Sequence, residues 1–261
     1  MSTETSMKLW GNALNGKAFE PSLDIYLIDS EKPLGTVLIC PGGAYAHRAP
    51  HEGINIAKRY NEMGFQAFVV HYSVAPERHP APLNDVSRAL RIIRHNAVKW
   101  KVNPSKIAVC GFSAGGHLTA SLGVHYDKAQ DIIADEISRE NNRPDALILC
   151  YPVISSGAYA NKGSFKNLLG EDASPEMLEM MSLEKQITEK TPTSFLWHTA
   201  NDPGVPVENS IMFAQELSKF KIPFELHIYE NGRHGLGLAP DDSHIGTWFE
   251  LSAQWLKRMD W

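Results

Sequence analysis

The segment Gly111-Phe112-Ser113-Ala114-Gly115 sets a hydroxyl nucleophile among small residues. An apolar run, KIAVC at 106–110, precedes it, and a helical pattern over 113–125 follows. A serine on so sharp a strand-to-helix turn exposes its Oγ at the sheet edge, where the helix N-terminus favours developing negative charge. The chain has no G-x-x-x-x-G-K-[ST], so the turn is not read as a phosphate-binding loop. A serine needs a base. Among eleven histidines, His234 lies between glycines in NGRHGLG (231–237), a loop after the last strand. His117, one helical turn beyond Ser113, is expected to pack beneath the turn. His71, His198 and His227 fall in or at the ends of strands, and His244 is expected to begin the final helix. The base needs an acid to fix its tautomer. Asp202, in ANDPGVP (200–206), follows the strand pattern TSFLWH; an Asp before Pro is also a common turn opener. Asp241 and Asp242 come after the histidine and are poorer rivals. A tetrahedral oxyanion needs N–H donors, each worth about 3 kcal/mol of transition-state stabilisation. The candidates are Ala114, after the nucleophile, and Gly43 and Ala44 in PGGAY, after the run GTVLIC.

These groups need a scaffold that brings distant loops together. Short apolar runs at 25–28, 35–40, 65–71, 106–110, 146–151, 193–198 and 224–229 read as strands, the first of them edge-like. Helical spacing falls at 51–63, 84–100, 113–125, 207–220 and 244–259. Val86, Leu90, Ile93, Ala97 and Trp100 form one stripe, with Asn84 as N-cap. Strands separated by helices imply an α/β fold, a mostly parallel twisted sheet with helices on both faces. With no repeat or low-complexity linker, 1–261 reads as a single domain. Residues 152–191 make an unusually long connection containing Tyr159, Phe165, Leu168, Leu169 and a helical stretch near 175–189. They are expected to form a small lid-like insertion or a peripheral helix.

Composition narrows the function. Lys and Arg number 25 against 30 Asp and Glu, a net charge of −5, so general attraction to nucleic acid or anionic lipid is not expected. Cys40, Cys110 and Cys150 have neither metal nor redox spacing and read as reduced core thiols. Residues 1–16 lack a signal-peptide pattern, and no apolar run approaches the roughly 20 residues that span a bilayer. A soluble, cytoplasmic protein is expected. His47 and His51 flank Pro50, and Glu52 follows, which is not H-E-x-x-H; no metal is expected. His51 and Glu52 are instead expected to open a helix, with Glu52 favoured by its dipole.

Together these features resemble the α/β-hydrolase fold over about residues 34–255. Within it the chain is similar to small esterases related to hormone-sensitive lipase and to bacterial acetyl esterases and acetylxylan esterases. The strings that carry the resemblance are PGGAY, HYSVAPERHPAPLNDV, GFSAGGHL, NDPGVPVENS and NGRHGLGLA. The family's H-G-G-G stands here as Pro41-Gly42-Gly43-Ala44, and its Y-R-x-A-P-E as Tyr72-Ser73-Val74-Ala75-Pro76-Glu77. The order Ser113, Asp202, His234 is that expected on this architecture. The resemblance implies a serine carboxylic ester hydrolase that works through an acyl-enzyme and needs no cofactor. It points to short acyl groups, acetyl above all, on a small-molecule ester or acetylated xylo-oligosaccharide. Tyr45 and Trp197, with residues 159–169, are candidate substrate contacts or plain packing. Feruloyl esters, a small serine peptidase and a non-catalytic binding protein are the rival readings. Trp248 and Trp255, seven apart, share one side of the last helix. They pack on the sheet or form a dimer contact, so the oligomeric state stays open.

Overall fold

The computed structural model describes residues 3–14, 16 and 19–261, without the side chains of Thr3 and Glu4. The apolar runs become strands: β1 (Thr3–Lys8), β2 (Ser22–Leu27), β3 (Leu34–Cys40), β4 (Gln66–His71), β5 (Val102–Phe112), β6 (Ala146–Cys150), β7 (Thr193–Thr199) and β8 (Phe224–Tyr229). They form one sheet in the order β1-β2-β4-β3-β5-β6-β7-β8. The pairs β1–β2 and β2–β4 are antiparallel; the other pairs are parallel.

Eight helices flank the sheet among the described residues: α1 (Ile54–Glu62), α2 (Ala81–His95), α3 (Ala97–Trp100), α4 (Ala114–His125), α5 (Lys162–Leu169), α6 (Pro175–Met180), α7 (Glu208–Lys219) and α8 (Thr247–Arg258). Alternate residues of β3 divide the core. Leu38 and Cys40 join Val86, Leu90 and Ile93 of α2 and Leu118 of α4. Val37 and Ile39 join Ile56 and Tyr60 of α1 and Trp248 and Leu256 of α8. Leu147 and Leu196 meet Phe213 and Leu217 of α7. Burial on both faces is why the central strands read as unbroken apolar runs. It also holds their carboxyl ends rigid, and all four loops of the candidate site leave from those ends. Trp248 and Trp255 are buried against the sheet side of α8.

Several boundaries differ from the sequence reading. β2 is not the edge, because β1 pairs with it from Thr3↔Leu27 to Lys8↔Ser22. The β1 sequence, TETSMK, has too few apolar residues to announce a strand; backbone pairing makes it one. α2 begins at Ala81, and Asn84 is no N-cap: its Oδ1 accepts from Gln130 N–H at 2.9 Å. The helical stripe breaks at Asn96, whose side chain donates back to Ile92 O. α8 begins at Thr247, not at His244, because Asp242 Oδ1 accepts both His244 and Ile245 N–H groups in a preceding turn. The helix expected near 175–189 is only α6, followed by a 3-10 turn at Leu183–Gln186. The three cysteines are buried and unbridged. Among the described residues no helix is long and apolar enough to cross a membrane.

Candidate active site

β5 ends at Phe112 and α4 begins at Ala114, so Ser113 is the whole turn between them. Its φ of 52° lies in the left-handed region, a strain of about 1–3 kcal/mol for a non-glycine residue. Hydrogen bonds hold it there. Ser113 N–H donates to Cys150 O at 3.0 Å, and its carbonyl accepts from His117 and Val153. The flanking glycines have steric causes. A Cβ on Gly111 would lie 2.1 Å from Gly115 O, and one on Gly115 would lie 2.1 Å from Cys40 O. The G-x-S-x-G spacing is therefore what lets the turn pack between β3 and α4.

The loops after β7 and β8 deliver the two partners expected from sequence. His234 Nε2 lies 2.7 Å from Ser113 Oγ, and His234 Nδ1 lies 2.7 Å from Asp202 Oδ2. The network assigns the Nδ1 proton to the bond with Asp202 and leaves Nε2 as acceptor for the serine proton. Asp202 Oδ1 accepts from Gly204 and Val205 N–H at 2.8 and 2.9 Å, which aims the other oxygen at the imidazole. Burial raises the Asp202 carboxyl, but the His198 and His234 rings and the Val205 amide outweigh it and hold it well below the usual carboxylate range. It stays an anion, able to stabilise an imidazolium. The His234 side chain is 26% exposed, so it can reach a substrate from one side and its acid from the other.

The loop after β3 holds Gly43 and Ala44, two of the residues expected to donate to an oxyanion. Gly43, Ala44 and Tyr45 have successive φ values of 124°, 53° and 56°. The loop lies against the serine: a Cβ on Gly42 would sit 3.0 Å from Ser113 Cβ. Among the described residues, the N–H groups of Gly43, Ala44 and Ala114 make no hydrogen bond within the protein. The loop is clamped from several sides. Tyr72 OH donates to Pro41 O at 2.5 Å, and Asn167 Nδ2 of α5 donates to Ala44 O at 2.8 Å. Donors fixed before the reaction need little reorganisation as charge develops.

Of the two readings offered for Tyr45 and Trp197, plain packing is the one found. Tyr45 is 2% exposed, with its hydroxyl 2.9 Å from His117 Nδ1 and its ring edge-on to Tyr72. Trp197 is fully buried in β7, stacked on Trp248 at 5.1 Å. Both are core side chains. An aromatic beside a loop glycine, or in a strand buried on both faces, looks the same in sequence whether it points inward or toward a ligand. His117 does pack beneath the turn. It donates from Nε2 to Met181 O and accepts Tyr45 OH, and burial pushes it down to about 4, so it is a neutral structural histidine.

The sequence reading missed other groups. Glu52 does not serve a helix dipole; it is buried, with Gly42 N–H and Tyr151 OH as its donors. Asn167, in the 152–191 segment, reaches the oxyanion loop, and Asn161 Nδ2 donates to Gly204 O beside the acid. Apart from Gly42, ten residues before Glu52, these partners lie far apart in sequence, and no local pattern marks them.

The BD-FAE family model matches residues 23–217. The chain belongs to the BD-FAE family. Two relatives extend the comparison. One, from Butyrivibrio fibrisolvens, is named endo-1,4-beta-xylanase B and is 40% identical over 87% of this chain and 36% of its own length. The other, an acetylxylan esterase of Xylanibacter ruminicola, is 31% identical over 87% of this chain and 45% of its own length. The chain thus spans less than half the length of either. Among solved structures, the acetyl ester-xyloside bifunctional hydrolase of Caldicellulosiruptor lactoaceticus superposes with a TM-score of 0.94 at 43% identity, covering 98% of this chain and 96% of that one. The Lactobacillus plantarum carboxylesterase Cest-2923, at 22% identity and a TM-score of 0.81, shares the fold. This BD-FAE member therefore has the α/β-hydrolase fold.

Proposed function

We propose that this BD-FAE protein is a serine carboxylic ester hydrolase for short acyl groups, acetyl foremost, on xylo-oligosaccharide-type sugars. The observation that carries the reading is the unbroken relay from Ser113 Oγ through His234 to Asp202, beside a loop whose Gly43 and Ala44 N–H groups, like that of Ala114, have no hydrogen-bond partner among the described residues. Ser113 attacks the ester carbonyl while His234 Nε2 takes its proton, and Asp202 stabilises the resulting imidazolium. The oxyanion is received by the N–H groups of Gly43, Ala44 and Ala114. His234 then protonates the departing alcohol, leaving an acyl-serine. Water, deprotonated by the same histidine, attacks that ester and releases the acid. No step calls for a metal or organic cofactor.

The acetyl-sugar preference is supported by the printed names of the Xylanibacter and Caldicellulosiruptor relatives. The decisive assay is hydrolysis of nitrophenyl esters from acetate to octanoate by wild type and Ser113→Ala, followed by acetate release from acetylated xylo-oligosaccharides. Fast acetate turnover that declines with chain length and disappears in the variant is the expected result. Equal rates in wild type and Ser113→Ala, or no turnover of any ester, would overturn the proposal.

A further inference from the structure

Glu52 is a second buried acid beside the triad, and the mechanism above does not use it. It ends the 3-10 turn Pro50–Glu52, just after the oxyanion loop, and is 2% exposed. Its two oxygens face two different loops. Oε2 accepts Gly42 N–H at 2.8 Å, and Oε1 accepts Tyr151 OH at 2.7 Å. The Tyr151 oxygen in turn accepts Gly237 N–H at 2.8 Å. One carboxylate thus ties together the chain after β3, the chain after β6 and the histidine loop after β8. The next residue after Gly42 is a proposed oxyanion donor. The Tyr151 ring stands edge-on to His234, centroids 5.2 Å apart, and Gly237 lies three residues beyond that histidine. Neighbouring His51 adds a parallel tie, donating from Nε2 to Gly235 O at 3.0 Å.

A carboxylate in the interior is unfavourable unless its lone pairs are met, and hydrogen bonds to an anion are stronger and shorter than neutral ones. Both conditions hold here. Burial pushes the Tyr151 phenol up, so it keeps the proton it gives to Glu52. Steric fit is equally close: a Cβ on Gly42 would sit 2.7 Å from Glu52 Oε2, so the oxyanion loop docks directly on the carboxylate. Tyr151 itself is held at φ 36°, a conformation that needs outside support.

We infer that Glu52 is a positioning residue that sets the oxyanion loop and the histidine loop in one register, so that the donors at 43 and 44 and His234 Nε2 address the same substrate carbonyl. This inference rests on the ester-hydrolase reading. Its effect should fall on the chemical step, because a small displacement of donors relative to the base weakens transition-state contacts more than ground-state binding.

The test uses Glu52→Gln, Tyr151→Phe and the double variant. The amide keeps the shape of Glu52, but one end becomes a donor and can no longer accept both partners. Glu52→Gln is expected to lower kcat on nitrophenyl acetate by about 10- to 100-fold. KM should stay within about threefold, since ground-state binding is untouched. Labelling of Ser113 by a fluorophosphonate, which needs the same donors, should slow in proportion, and the melting temperature should fall by only several degrees, since one buried donor loses its acceptor. Tyr151→Phe should slow turnover less. The double variant should be no worse than Glu52→Gln, because both changes break one network. Wild-type kcat and labelling in Glu52→Gln would overturn the inference. So would single losses that multiply in the double variant, or losses that follow melting temperature. A wild type that neither turns over esters nor labels at Ser113 would defeat the hydrolase reading itself. An active wild type with an equally active Glu52→Gln would defeat this inference alone.

Discussion

Asp202→Asn tests the triad most sharply, because the surrounding hydrogen bonds dictate how the new amide must sit. In the wild type, Oδ1 accepts two backbone N–H groups, Gly204 at 2.8 Å and Val205 at 2.9 Å, while Oδ2 faces His234 Nδ1 at 2.7 Å. Asparagine has only one accepting oxygen. Turning its NH2 toward Gly204 and Val205 would set donors against two buried donors, a larger penalty than setting one against the imidazole. The oxygen therefore keeps its place, and the NH2 donates to His234 Nδ1. The imidazole must then carry its proton on Nε2, where it can no longer accept from Ser113 Oγ. Fold and substrate binding survive, but the reactive tautomer is lost. A triad with the wrong tautomer loses about 10⁴ in kcat. That corresponds to about 5.5 kcal/mol of activation free energy, at about 1.4 kcal/mol per decade. Steady-state hydrolysis of nitrophenyl acetate, with circular dichroism to check folding, measures it directly. A folded Asp202→Asn enzyme within tenfold of wild-type turnover would refute the tautomer argument and require another acid.

Ser113→Ala should stay folded and lose about 10⁵- to 10⁶-fold in kcat, as measured by ester hydrolysis. Gly115→Ala places a Cβ 2.1 Å from Cys40 O and should fail to fold or melt far below wild type in thermal denaturation. Stability should also carry a signature of His117, pushed down to about 4 by burial. Above the usual histidine pKa of about 6.5 both states are neutral and no effect arises. Below it the unfolded chain protonates first, so stability falls as pH drops toward 4, by about 3 kcal/mol. Asp85, raised to about 6 by burial, gains stability over much of the same window. The measurement is therefore the unfolding free energy of wild type minus that of His117→Gln between pH 7 and 4. A flat difference would refute the assignment.

Much of the site is legible in the chain because its causes are local. Gly111 is required by a clash within one strand-turn-helix unit, with Gly115 O, whereas Gly115 is required by the close approach of β3 at Cys40. Asp202 and His234 each occupy the loop that ends a strand, and parallel strands buried on both faces send those loops to the same side of the sheet. Short apolar runs and period-3.6 apolar patterns, which report burial directly, located the elements between them. Local pattern fails where partners are remote or burial is symmetric. β1 is polar and becomes a strand only because β2 offers it a free backbone edge. Tyr45, in a loop, and Trp197, in a strand buried on both faces, turn inward, which the neighbouring residues could not reveal, since neither position carries an alternation that reports its direction. Glu52 shows the limit most clearly. Its sequence context, after a proline turn and before a helix, suggests a charge at a helix end. Its partner Tyr151 lies 99 residues away. The types and order of the proposed reacting groups were therefore set by the sequence alone. Their alignment, and the buried carboxylate that ties their loops together, come from contacts between segments that meet only when the sheet closes.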